Sequence, residues 1–207
     1  MVDLGTIFAR RKAPTYGTQR DIGLLAVRLT TGGLMFGHGA QKLFGWWGGY
    51  GLEGTSGWLE SMGLRPGRPW AIAAGASEFG GGLLTALGLL HPIGPISMLG
   101  SMAVAIRKAH WGKPIWVTAG GAELPLTNIG IGIALALVDP GRLSLDHALD
   151  IRVPRELALV AAGAVALGVI FSEAEAAPAP ATQEAAQPEL QGGEAADEAD
   201  LPPGAEG

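Results

Sequence analysis

The sequence contains no cysteine. Disulfides, thiolate metal sites, cysteine nucleophiles and iron–sulfur ligation by this chain are therefore excluded. Charged residues are sparse, at 16% against 48% hydrophobic ones, and the mean hydropathy of +0.29 is too apolar for an ordinary soluble domain. Basic residues are missing altogether from Ser172 onward, where nine acidic residues lie. The remaining 10 acidic and 14 basic residues give residues 1–171 a charge of +4, so the overall −5 belongs to the tail. No basic run is long enough for a phosphate footprint, so no nucleic-acid partner is expected.

What is present is a series of apolar stretches separated by glycine- and proline-rich breaks. Residues 1–20 are polar, and Arg10-Arg11-Lys12 fits a positive-inside flank better than a twin-arginine export signal, because no small-residue cleavage site follows. Asp21–Phe44 is a first candidate span of 24 residues, about the length needed to cross ~30 Å of hydrocarbon. Residues 45–69 form a Gly-rich loop in which Trp58, Leu59 and Met62 are expected on one face of a short interfacial helix. Trp70–Leu90 and Ile96–Trp111 are the second and third spans, joined by the tight reversal His91-Pro92-Ile93-Gly94-Pro95. Ala119–Val138 is the fourth, with Pro125 tolerated inside it. A polar connector, 139–155, leads to an apolar fifth helix, Glu156–Phe171, expected to span and otherwise peripheral. Residues 172–207 have almost nothing to bury and are expected to be disordered. The predicted fold class is thus all-α: an integral membrane four-helix bundle over 21–138, a fifth transmembrane helix, and an acidic tail.

Seven cations (Arg10, Arg11, Lys12, Arg20, Arg142, Arg152, Arg155) fall on one side of this layout. Five (Arg65, Arg68, Lys113, Arg107, Lys108) fall on the other, which places the N-terminus inside and the tail outside if the fifth helix spans. All six tryptophans are expected at the outer face.

Charged groups within such spans are costly and usually face a bundle interior or a wet cavity. Around the first helix Arg28 and Lys42 lie ~40° apart and His38 another ~40° on, so one face can hold all three. Gly33/Gly37 on the first helix, and Ala71/Gly75 and Ser77/Gly81 on the second, are small-xxx-small pairs that would bring Glu78 towards that face. His38, Lys42, Glu78, His110 and Glu123 fall in the outer half under the tryptophans, with Arg28 nearer the inside. Plainer roles stand beside a shared site: Glu78 neutralising Lys42 or Arg28, Lys42 snorkelling, His110 as an interfacial residue, Glu123 capping its helix. Histidine and two carboxylates near a lipid-accessible cleft suit proton-coupled chemistry of a quinone head group. A haem held by His38 and His110 is not expected, and no metal site is.

The pieces RLTTGGLMFGHGAQKLFGWW (28–47), GLEGTSGWLESMGL, ASEFGGGLLTALGLL and AIRKAHWG together resemble the DoxX family of small bacterial and archaeal membrane proteins, over roughly residues 20–145. The resemblance implies a four-helix membrane bundle in the cytoplasmic membrane. It also implies association with multi-subunit respiratory or redox systems, such as a terminal quinol oxidase or thiosulfate:quinone oxidoreductase. By motif it places Arg28, His38, Gly39, Lys42, Glu78 and His110 at the family's polar positions, Glu123 less closely. The expected role is a subunit of, or accessory to, a quinone-linked complex, its outer-half polar cluster binding a quinone or a lipid head group; the alternative is a membrane assembly protein whose polar cluster is structural. The fifth helix and acidic tail depart from the pattern.

Overall fold

A computed structural model describes residues 16–174. The basic segment at 10–12 and the tail beyond 174 lie outside the described residues. Within them the chain is all-helical: α1 (Tyr16–Phe44), α2 (Gly51–Ser61), α3 (Gly67–Leu87), α4 (Ile93–Ala105), α5 (Glu123–Leu137), α6 (Leu145–Leu149) and α7 (Arg155–Ala174). A π-wound turn, Ile106–His110, continues α4. Short 3-10 turns lie at Trp46–Gly48 and Val117–Ala119. α1, α3, α4 and α5 form the bundle, with α2 laid across the ends of α1 and α3, and α7 packed on α4.

The helix ends follow from local chemistry. α2 stops where Gly63 takes φ +86°, a left-handed conformation that glycine adopts without steric cost, and the Leu64 N–H donates back to the Leu59 carbonyl at 3.1 Å. α3 begins under the Glu60 carboxylate, which accepts from the Gly67 N–H at 2.7 Å. It ends at Gly88 (φ +61°), with Leu89 N–H donating to Leu84 O at 2.9 Å. The buried Asp146 carboxylate then accepts from the backbone N–H groups of Leu90 and His91, each at 2.8 Å, and so fixes the α3–α4 reversal.

The seam between α1 and α3 is made by glycines, the predicted Gly75 among them, where a Cβ would lie 2.6 Å from the Leu43 side chain; on α1 they are not the predicted ones. Gly33 has open space around it and Gly37 nothing nearer than Trp47, whereas a Cβ on Gly39 would lie 2.2 Å from the Phe79 backbone nitrogen. One on Gly32 would lie 2.6 Å from Gly82 O and Ala86 N, and one on Gly82 would lie 2.3 Å from Phe36 N. Gly32 and Gly39 are seven residues, two turns, apart and so share a face that Gly33 and Gly37 do not. On α3 the predicted Ala71 and Gly75 are buried, while Gly81 faces α4 at Gly94 and Ser97 instead.

Several predicted boundaries shift. α1 starts before Asp21, and the α4 span begins at Ile93. The fourth span shortens to Glu123–Leu137, because Val117–Ala119 winds as a 3-10 turn and Pro125 sits in the first helical turn, where its missing N–H costs nothing. The fifth helix runs on through Ser172 and Glu173 to Ala174, three residues into what composition assigns to the tail. Among the described helices only α7 is long and apolar enough to cross a membrane by itself; α5 is apolar but has 15 residues.

Polar ties gather where α1 begins, α3 ends and the connector returns. Arg20 pairs with Asp139, and Arg142 with Asp21. The Arg28 guanidinium, 2% exposed, donates through Nη2 to the Leu143 carbonyl. Its Nε and Nη1 have no hydrogen-bond partner among the described residues. Gly88 is required here, since a Cβ there would lie 1.9 Å from Arg28 Nη1.

Candidate functional site

At the other end of the bundle lies a cavity of about 490 Å³, within the range of small-molecule sites. α2 roofs it with Trp58 and Leu59, with Met62 just beyond the helix end. α3 gives Trp70, Ser77 and Glu78, and α4 gives Ser97, Ser101 and Met102. α1 adds His38 and Lys42, α5 adds Asn128, and α7 closes one side with Ala164, Val165 and Gly168. The walls are mainly apolar, with polar groups at a few points.

The central polar feature is the ion pair between Lys42 and Glu78. Glu78 is 2% exposed and the Lys42 side chain 26%. They meet because glycine lets the α1 and α3 backbones touch, so that two short-range neighbours on facing helices reach one another across the seam. The Lys42 backbone carbonyl also accepts from Thr55 Oγ1 at 3.3 Å, which anchors the roof helix over the pair. His38, one turn below Lys42, lines the cavity with a face open to the exterior. His110 also lines it, and its Nδ1 lies 2.7 Å from the Gly120 carbonyl. A carbonyl only accepts, so Nδ1 carries the hydrogen and Nε2 of the neutral ring is left as an acceptor. Asn128 Nδ2 lies 3.8 Å from Met35 Sδ and 3.7 Å from Met102 Sδ, in the buried Met35–Met98–Met102 core.

Two of the six predicted residues lie elsewhere. The Glu123 carboxylate accepts from the Val117 N–H at 2.8 Å, while its own N–H donates to Ile115 O at 2.9 Å. It organises the 112–122 loop and does not line the cavity. Arg28 shares a helical face with Lys42 but sits nearly four turns away along α1, and it binds the connector at Leu143. A shared face does not make a shared site when the polar groups lie ~21 Å apart along the axis.

Residues 23–111 match the family model described as DoxX. The chain carries a DoxX domain. DoxX proteins are membrane-associated, and the domain suggests a membrane location for this chain. No curated protein and no solved structure matches the chain. The DoxX domain contributes His38, Lys42, Glu78 and His110 to the cavity, together with its roof helix; Asn128 and the α7 wall come from beyond it.

Sequence reasoning did not find the cavity's second ammonium. Lys108 reads in sequence as half of a basic flank with Arg107. Within the π-wound turn the two part company: Arg107 is exposed, whereas the Lys108 side chain is only 6% exposed on the cavity wall. Irregular turns of this kind are frequent at functional sites. Nothing in an isolated sequence marks where one will form.

Five of the six tryptophans (Trp46, Trp47, Trp58, Trp111, Trp116) are strongly exposed around the cavity end of the bundle, and Trp70 is partly buried there. Arg107 stacks over the Trp111 ring at 4.6 Å. Amphipathic rings at one end of a bundle are placed as an interfacial belt is.

Proposed function

We propose that the protein is a multi-pass membrane subunit of, or accessory to, a quinone-linked redox complex, with the cavity under the tryptophan belt as its site for a lipid-soluble ligand. In this reading α1, α3, α4 and α5 cross the membrane as a bundle, α7 crosses beside α4, and the tryptophan end faces outward. The observation that carries it is Glu78: a buried carboxylate, paired with Lys42, in the wall of a mainly apolar chamber. Buried charge in such a setting is costly and marks polar pathways and binding sites. A quinone ring in the chamber would find Lys42, Ser77 and His110 Nε2 as groups that hold its oxygens or exchange protons. The electrons would come from the partner complex, because the chain has no cysteine to hold a cluster.

The test is quinone-dependent electron transfer in membranes carrying Glu78→Gln or His38→Ala at unchanged protein level. Reduced turnover with normal membrane insertion supports the reading; unchanged turnover in both removes it. The Lys42–Glu78 pair also favours a second reading, an assembly protein in which the pair only locks α1 to α3. That reading expects the same substitutions to lower folded yield while turnover per folded molecule stays constant. Orientation is tested separately in this cysteine-free chain. Gly57→Cys, at an exposed position with open space around it, should be labelled from outside by a membrane-impermeant thiol reagent; protection there would reverse the topology.

A further inference from the structure

We infer that the occupant of the cavity is an amphiphile with one apolar chain and a singly negative head group, the head on Lys108 and the chain in the slot between α4 and α7. The inference rests on the cavity being a ligand site and specifies what it takes. The charged residues of the lining are Lys42, Glu78 and Lys108. Lys42 and Glu78 neutralise each other, which leaves the Lys108 ammonium as the cation of the lining without a hydrogen-bonded carboxylate among the described residues.

Its nearest carboxylate among the described residues is Glu173 on α7, with Oε1 at 3.9 Å, outside hydrogen-bond reach. The other oxygen of Glu173 accepts from Arg107 Nε at 2.9 Å. Two cations therefore share one carboxylate, and the nearly buried one has the poorer share. An ammonium withdrawn from water needs a hydrogen-bonded counter-charge, and an anionic head in the chamber supplies one.

The shape agrees with the charge. Below Lys108 the α4 side of the cavity is lined by Ala105, Val104, Ser101 and Gly100, and the α7 side by Gly168, Val165 and Ala164. These small side chains leave a slot that runs from Lys108 to Gly100, eight residues, or roughly 12 Å along the helix. α7 leans on α4 at Gly100, where a Cβ would lie 3.2 Å from Val165 Cγ1. Gly100 thus sets how closely the two walls approach at the foot of the slot. The head end lies beside His110 and the roof, near the tryptophan belt, where an amphiphile's polar end belongs. A chamber of about 490 Å³ accommodates one chain and its head, not a whole two-chain lipid.

The experiment uses the full chain in nanodiscs of neutral lipid, titrated with a fluorescent long-chain carboxylate, its methyl ester, and decylubiquinone. The carboxylate should bind saturably and the ester about tenfold more weakly or worse, as loss of a charge-assisted contact requires. Lys108→Gln should weaken the carboxylate about tenfold and leave the ester unchanged, while Lys108→Arg retains binding. Gly168→Phe should abolish binding by filling the slot without altering charge. Displacement of the probe by phosphatidylglycerol identifies the head as a lipid phosphate with one chain inserted; failure to displace it identifies a free carboxylate. Equal binding of acid and ester, or wild-type affinity in Lys108→Gln, overturns the inference. If decylubiquinone binds and the acid does not, this inference fails and the quinone reading stands; if neither binds, both fail.

Discussion

Lys42 and Glu78 form one ion pair with its two halves in different surroundings: the carboxylate is sealed in the α1–α3 seam, and the ammonium reaches the edge of the cavity. Removing either half therefore has unequal consequences. Lys42→Met leaves a carboxylate buried without its cation and should lower unfolding stability in detergent by about 3 kcal/mol. Glu78→Met leaves a lysine that can turn towards the polar edge and should cost about 1 kcal/mol. The double variant Lys42→Met/Glu78→Met should recover most of the loss, because well-packed apolar side chains often replace a buried pair at little cost. Thermal unfolding of the four proteins gives the coupling, and additive losses would show that the pair does not act as a unit.

The glycine seam gives a prediction with an internal control. Gly39→Ala would place a methyl group 2.2 Å from the Phe79 backbone, which must shift, and should destabilise the protein by roughly 1–3 kcal/mol. Gly33→Ala, one residue after Gly32 and facing open space, should be neutral or stabilising by up to about 1 kcal/mol through helix propensity. Equal behaviour of the two in a melting assay would contradict the packing of α1 on α3.

The α3–α4 reversal should be sensitive to acid. Burial holds the His91 imidazole below its usual 6.5, opposed by the nearby Asp146 carboxylate, so the folded state favours the neutral ring. The unfolded chain then binds more protons as pH falls below about 6.5, and stability should decline from there down to the folded-state value. Asp139 contributes separately: the hydrogen bond from Arg20 holds its carboxyl below 3.8, and that contribution is lost only as pH falls through the lowered value. His91→Gln should flatten the stability profile between pH 7.5 and 5.5 and leave the more acidic limb in place. An unchanged slope in that window would show that His91 is not the group titrating.

Much of the architecture was legible in the sequence because it rests on long-range patterns. Apolar stretches broken by Pro and Gly located every bundle helix and α7, and the ionisable residues inside them pointed to Lys42, Glu78, His38 and His110, all of which line the cavity. Helix rotation was not legible. Small residues at 33 and 37 satisfy the same pattern as those at 32 and 39, and only the partner's surface decides between them. The same limit applied to Arg28, whose partner at Leu143 lies 115 residues away, and to Glu123, whose carboxylate serves a local loop. Lys108 was hidden for a different reason: of two adjacent cations in an irregular turn, the sequence does not mark which one faces inward. The α7 wall was visible as a helix but not as part of the site.

The central claim is that the cavity under the tryptophan belt holds a lipid-soluble ligand. It is tested most directly by purifying wild-type protein and Gly168→Phe in mild detergent and identifying by native mass spectrometry and organic extraction what each retains. The account predicts a stoichiometric amphiphile on the wild type that is missing from the filled-slot variant, with both proteins equally folded. An empty wild-type protein, or the same complement on both, would contradict it.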